Sequence, residues 1–215
     1  MRNKKEEPKC DCEPCDSVKN DFEDIEELLI RTRRILITGE INDQKADYVC
    51  QRLQAYAFSK LPVYVYINSP GGELGAGYAI VDQFLLSPFP IYTIVRGIAA
   101  SMAATIVAYG TKGCRFATKN STLFLHNMNV TLPENEISSQ KIAVEHLIKY
   151  SEDKIKDLVS KLKINRKKFD LLLNKTCWLV PEEAIKIGLV DSIWTKDLEN
   201  SININSIKEE QCGDE

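Results

Sequence analysis

Residues 63–87 read VYVYINSPGGELGAGYAIVDQFLLS. Val63–Asn68 is a run of β-branched and aromatic residues, which predicts a strand. Ser69–Gly72, SPGG, is turn chemistry. From Glu73 the chain reads as a helix stopped before Pro88. A strand, a glycine turn and a helix in succession form the first half of a βαβ unit, and the same order appears on both sides. Upstream, residues 21–33 predict a short helix, RRILITGEI (33–41) a strand, and residues 42–60 a helix with apolar spacing at Ala46, Val49, Cys50, Leu53 and Ala57. Downstream, PIYTIV (90–95) reads as a strand, AASMAATIVAYG (99–110) as a helix, and CRFAT (114–118) and STLFLHN (121–127) as short strands. The alternation implies an α/β fold with a mostly parallel central sheet. Its strand-to-helix turns gather along one edge, among them NSPGGE and RGIAAS.

The chain has 215 residues, 44% hydrophobic and 27% charged, in the range of a globular protein with one ordinary-to-large domain. A net charge of −3 gives no electrostatic case for a nucleic-acid partner. No apolar run approaches the length of a membrane span. Residues 1–20 lack an apolar signal core and read as a flexible polar arm, so the expectation is a cytoplasmic location. The seven cysteines make no disulfide framework. Cys10, Cys12 and Cys15 cluster, but three thiols without a nearby histidine leave a zinc site one ligand short. No metal or other cofactor is therefore expected in the chain. The folded domain is expected over 21–197, with a long amphipathic helix over 138–162, a shorter helix at 165–175, then VPEEAIKIGLVDSI (180–193) as a Pro-started helix, glycine stop and last strand. Residues 198–215 read as a polar C-terminal tail.

Within RGIAASMAATIVAYG (96–110), Ser101 is one hydroxyl among small apolar side chains. It is either an N-cap or a nucleophile. A nucleophilic serine needs a base and donors for a developing oxyanion. Of the two histidines, His146 lies inside the long charged helix, whereas His126 ends the strand TLFLHN at the loop-bearing edge. It is either a packed strand-end residue or the base. Gly71 and Gly72 form a tight turn, or present backbone N–H groups at close approach. The Met102 amide, just past Ser101 at a helix start, is a second donor of the same kind.

Together these segments resemble the ClpP family of serine peptidases, the proteolytic subunits of the Clp protease. The matching stretches are RRILITGEI, VYVYINSPGGELGAGYAI, GIAASMAATIVAYGTKGCRFATKNSTLFLHN and EEAIKIGLVDSI, in order over residues 22–194. The resemblance implies a crotonase-like α/β core with a protruding helical handle at about 138–162. It implies Ser101 as nucleophile, His126 as general base, and Gly72 and Met102 as oxyanion-hole donors. Tyr66 would belong to an apolar surface pocket that receives an ATP-driven unfoldase. Partners would be further copies or paralogues in two stacked seven-membered rings, a Clp-type AAA+ ATPase, and unfolded protein substrates threaded inside. ATP is then spent by the unfoldase, not by this chain.

Two departures stand out. The family's acid is an aspartate just before an aromatic-Leu pair, and here Thr176 holds that position in NKTCWLVPEEA. Lys175 and Asn174 beside it are not carboxylates, and Asp170 lies six residues upstream. The stretch after His126, NMNVTLPENEISSQ, has no glycine where the family has a glycine-rich strand. These departures set a working peptidase of reduced rate against a catalytically weak structural subunit of a mixed ring. An acyl-CoA enzyme on the same core would not need the Ser-His pair, and a Ser-Lys peptidase would leave His126 unexplained.

Overall fold

The computed structural model describes residues 20–127, 137–174 and 177–202. In chain order the elements are α1 (Asn20–Arg31), β1 (Arg34–Thr38), α2 (Asp43–Ala55), β2 (Val63–Ser69), α3 (Leu74–Leu86), β3 (Ile91–Ala100), α4 (Met102–Ala108), β4 (Arg115–Thr118) and β5 (Thr122–Leu125). They continue with α5 (Ile137–Lys161), α6 (Arg166–Leu173), β6 (Cys177–Leu179), α7 (Pro181–Ile187), β7 (Ser192–Trp194) and a last helix, α8, at 196–202. The cysteine cluster at Cys10, Cys12 and Cys15, the arm that carries it and Thr176 lie outside the described residues.

The sheet runs β1-β2-β3-β4-β7, every pair parallel. This is the α/β architecture the alternation implied. Such strands are covered on both faces and must be apolar throughout. Ile35, Ile37, Val63, Val65, Ile67, Ile91, Ile94 and Val95 are accordingly buried, with α3 and α4 packed nearby. α3 approaches α4 closely at Gly77, where a Cβ would stand 2.2 Å from the Met102 side chain.

One strand differs in length from its reading. The sequence ends β3 near Val95 and begins a helix at Ala99, yet β3 continues to Ala100. Gly97, at φ +82°, lets the strand bend, and the Asn68 amide oxygen fills the bend by accepting from Ile98 N–H at 3.2 Å. Before the bend β3 pairs with β4; after it, Ile98–Ala100 pairs with β5. The gain of ladder hydrogen bonds overrides the helical propensity of the alanines. β5 then pairs antiparallel with β6, a three-residue strand that the sequence pattern does not reveal. This fan of β3, β5 and β6 places the site.

Two carboxylates close the fold at its end. Asp191 receives Arg115 in a bidentate pair (2.7 and 2.9 Å) and the amides of Gly113 and Arg115, while Arg115 also donates to the Lys161 carbonyl. The pair ties β4 and β7 to the end of α5. Glu199 on α8 accepts from Trp194 Nε1 (2.7 Å), from the Tyr66 hydroxyl (3.0 and 3.1 Å) and from Arg96 (3.1 Å), with Arg34 at 3.8 Å. Leu198 and Ile202 on the same helix pack onto Tyr66, Ile94, Phe116 and Trp194. Residues 198–202 are thus part of the folded unit, a correction to the polar tail expected from 198. Leu198 and Ile202, at four-residue spacing, are the signal for it.

Burial alone would raise the Glu199 carboxyl, but its hydrogen bonds from Trp194 and Tyr66, with Arg96 and Arg34, hold it below the usual range. A carboxyl lowered by folding stabilises the fold above its unfolded value of about 4.3. That contribution is lost as pH falls through the lower, folded value. Glu199→Gln should therefore cost about 1–3 kcal/mol at neutral pH and much less in acid. Denaturant unfolding followed across pH 3–7 checks this, with hydrogen exchange at 196–202 reporting whether α8 loosens first.

Candidate active site

β3 ends at Ala100, and Ser101 follows at φ 55°, ψ −123°, a backbone conformation costly for a non-glycine residue. The conformation is imposed from outside. Ser101 N–H donates to the Phe124 carbonyl of β5 at 2.8 Å, and the Ser69–Gly72 turn presses from the other side. The turn fits because Gly71 lacks a Cβ, which would lie 2.7 Å from both Ala100 O and Ser101 Cβ. Ser101 stands at the N-cap position of α4 and its carbonyl accepts from Thr105 N–H at 3.2 Å, but its hydroxyl makes no capping bond and is left for another partner.

The histidine at this edge stands two positions past the residue that fixes this turn. His126 follows β5, and its Nε2 lies 2.8 Å from Ser101 Oγ. At that distance the two atoms are hydrogen-bonded, and the hydroxyl is the donor in the tautomer that carries its ring proton on Nδ1. The imidazole stacks on Phe124 (5.3 Å between centroids, 21°), and Phe124 packs on Trp178 of β6 at 4.5 Å. An aromatic ladder from Trp178 thus fixes the ring's plane, a support that no sequence motif announced. The other histidine, His146, is exposed on α5 against Tyr150 and takes no part.

Two amides face the same space. Ile41 forms a parallel bridge to Gly72 by accepting from Glu73 N–H and donating to Gly71 O. In such a bridge the bonds go to the residues flanking the partner, so the N–H of Gly72 itself points away from Ile41. The Met102 amide is the first of α4 and has no intrahelical acceptor. Among the described residues neither amide has a protein acceptor. Gly72, Ser101, Met102 and His126 all line one cleft of about 230 Å³. Serine hydroxyl, imidazole and two spare N–H donors around one cavity make a set able to attack a carbonyl and hold the oxyanion that results.

A match to a family of known proteins decides what this set belongs to. The family model for Clp protease matches residues 17–197. The chain belongs to the Clp protease family. Its curated relatives include ATP-dependent Clp protease proteolytic subunits of Ligilactobacillus salivarius (33% identical over 177 residues; 79% of this chain, 87% of the relative) and Streptococcus pyogenes (34% over 174; 79% and 88%). The subunit of Streptococcus pneumoniae is 33% identical over 184 residues, 84% of this chain and 92% of the relative.

Thr176 lies outside the described residues. Cys177, which follows it, is the register partner of Leu125, which precedes His126. Among the described residues no carboxylate hydrogen-bonds the second ring nitrogen of His126. Asp170 instead accepts from Arg166 Nε at 2.6 Å on α6. Tyr66, which the resemblance implied to be part of an apolar surface pocket, is buried, 4% exposed, with α8 packed over it. Burial and the neighbouring Glu199 push its phenol up to about 12. The cause of the difference is the C-terminal segment, whose Leu198, Glu199 and Ile202 cover the aromatic patch. Among the described residues no helix is long and apolar enough to cross a membrane.

Proposed function

We infer that this chain is a serine peptidase of the Clp type, and the observation that carries the reading is the 2.8 Å contact of Ser101 Oγ with His126 Nε2 beside two spare amides. Ser101 attacks the scissile carbonyl while His126 Nε2 takes its proton. The Gly72 and Met102 N–H groups receive the oxyanion. His126 then returns the proton to the leaving amine, and an acyl-serine remains. Water, deprotonated by the same imidazole, hydrolyses the ester and restores the hydroxyl. The chain's own residues supply every proton transfer, so no metal or organic cofactor enters the reaction.

The third member is the weak point. An acid partner stabilises the charged imidazole, and its replacement by a neutral group costs orders of magnitude in serine peptidases. Thr176 is proposed to occupy that place. Thr176→Asp should then raise kcat on a short fluorogenic peptide by about tenfold or more. An unchanged rate would show that another group orients His126.

The relatives are named as proteolytic subunits of an ATP-dependent protease. By that likeness the substrate is unfolded polypeptide, delivered by a Clp-type ATPase to sites enclosed in stacked rings, with the chain in the cytoplasm. The test is degradation of an unfolded protein with and without such an ATPase and ATP, alongside sedimentation of the chain alone. ATP-dependent degradation by a ring assembly supports the reading. A monomer that cuts peptides equally well with or without the ATPase would overturn the enclosed-chamber part of it.

A further inference from the structure

The cleft that opens at Ser101 and His126 is walled on its far side by Leu125, Leu158, Phe169 and Leu173. One charged side chain joins this apolar wall: Lys154, on α5 one turn before Leu158. Its ammonium lies over the Tyr78 ring at 4.3 Å and 5.3 Å from that of Tyr150. These rings hold the stem and favour the charge, but they leave the donors of the ammonium without an anionic acceptor. Among the described residues Lys154 makes no ion pair. The nearest acids in sequence are used elsewhere or turned away: Asp157 accepts from the Tyr109 hydroxyl at 2.5 Å and pairs with Lys161, and Asp153 is exposed.

We propose that Lys154 is a specificity-determining residue, which makes the cleft beside Ser101 a receptor for an acidic side chain on the acyl side of the scissile bond. This rests on the peptidase reading given above. The apolar walls take the methylene groups of a glutamate, and the ammonium takes its carboxylate. A purely apolar side chain fills the walls and gains nothing from the cation. Glutamine has the shape of glutamate but not its charge. A cation in a partly enclosed cleft discriminates between them by the excess strength of a charge-assisted hydrogen bond.

The test uses the full chain and two fluorogenic peptides identical except for Glu or Gln at the acyl-side position. The expected kcat/KM ratio, Glu over Gln, is about tenfold, and raised salt should erode the Glu rate while sparing the Gln rate. Lys154→Gln should bring the ratio close to one, and Lys154→Glu should turn the preference to a Lys peptide. A wild-type ratio of one or less overturns the proposal, and needs no variant to fold. So does a loss in Lys154→Gln that strikes both peptides equally, since a merely structural lysine would behave that way. Hydrolysis of neither peptide nor of a Leu counterpart above the Ser101→Ala level would overturn the peptidase reading and this proposal with it. Cleavage of the Leu peptide without a Glu preference would overturn this proposal alone.

Discussion

Ser101→Ala is expected to lower hydrolysis of a fluorogenic peptide by about a thousandfold or more. The substitution removes one oxygen and leaves the backbone to be held by the same neighbours. Those neighbours, the Phe124 carbonyl and the Ser69–Gly72 turn, act on main-chain atoms or on Cβ, so the variant should fold and assemble like the parent. Relief of the hydroxyl's contact with His126 changes little else. Thermal unfolding near the parent value together with a lost rate assigns the defect to chemistry. Activity close to the parent would remove Ser101 from the reaction.

Gly71→Ala is the second substitution with a large effect, for a steric reason. At φ +98° an alanine is strained, and its Cβ would stand 2.7 Å from the Ala100 carbonyl oxygen and from Ser101 Cβ, with Met102 N at 3.1 Å. These are main-chain and Cβ atoms, which cannot swing aside as a long side chain would. Either the glycine turn or the Ser101 turn must shift, and displacement of a catalytic geometry by about 1 Å costs roughly a hundredfold in rate. The expected result is such a loss in kcat together with reduced stability. Gly39→Ala is the control. Gly39 also has positive φ, +77°, but nothing lies within 4 Å of its added Cβ. It should lose about 1 kcal/mol of stability and keep its rate. Equal losses of activity in both would show that backbone strain in general, not contact with the Ser101 turn, is responsible.

The sheet was legible where composition and punctuation agree. Val63–Ser69 is β-branched and aromatic and ends in SPGG, and the observed strand and turn fall there. The helix expected over 138–162 runs Ile137–Lys161, because its apolar spacing persists for several turns. Legibility failed where local preference and tertiary pairing disagree. Ala99 and Ala100 favour a helix by themselves, and only pairing with distant strands, Ser69 of β2 beside Ala99 and β5 beside both, makes them a strand. β6 is three residues long, too short for a period to show, yet it carries Trp178 to the ladder behind His126. Ser101 and His126 could be named from the chain as a hydroxyl and a ring at one edge. Their 2.8 Å approach depends on the bend at Gly97, which no single segment encodes. The role given to Lys154 was equally hidden, since in sequence it is one of several lysines on a charged helix.

Ser101 is expected to be an activated nucleophile although NKTCWL (174–179) carries no carboxylate before Trp178. A serine-directed fluorophosphonate applied to the purified full chain, with mass mapping of the adduct, tests it most directly. Phosphonylation at Ser101 is the expected result, abolished in His126→Ala because the proton of the hydroxyl then has no acceptor. An unmodified Ser101 in a chain that still assembles would contradict the claim and leave the subunit a scaffold for an active partner.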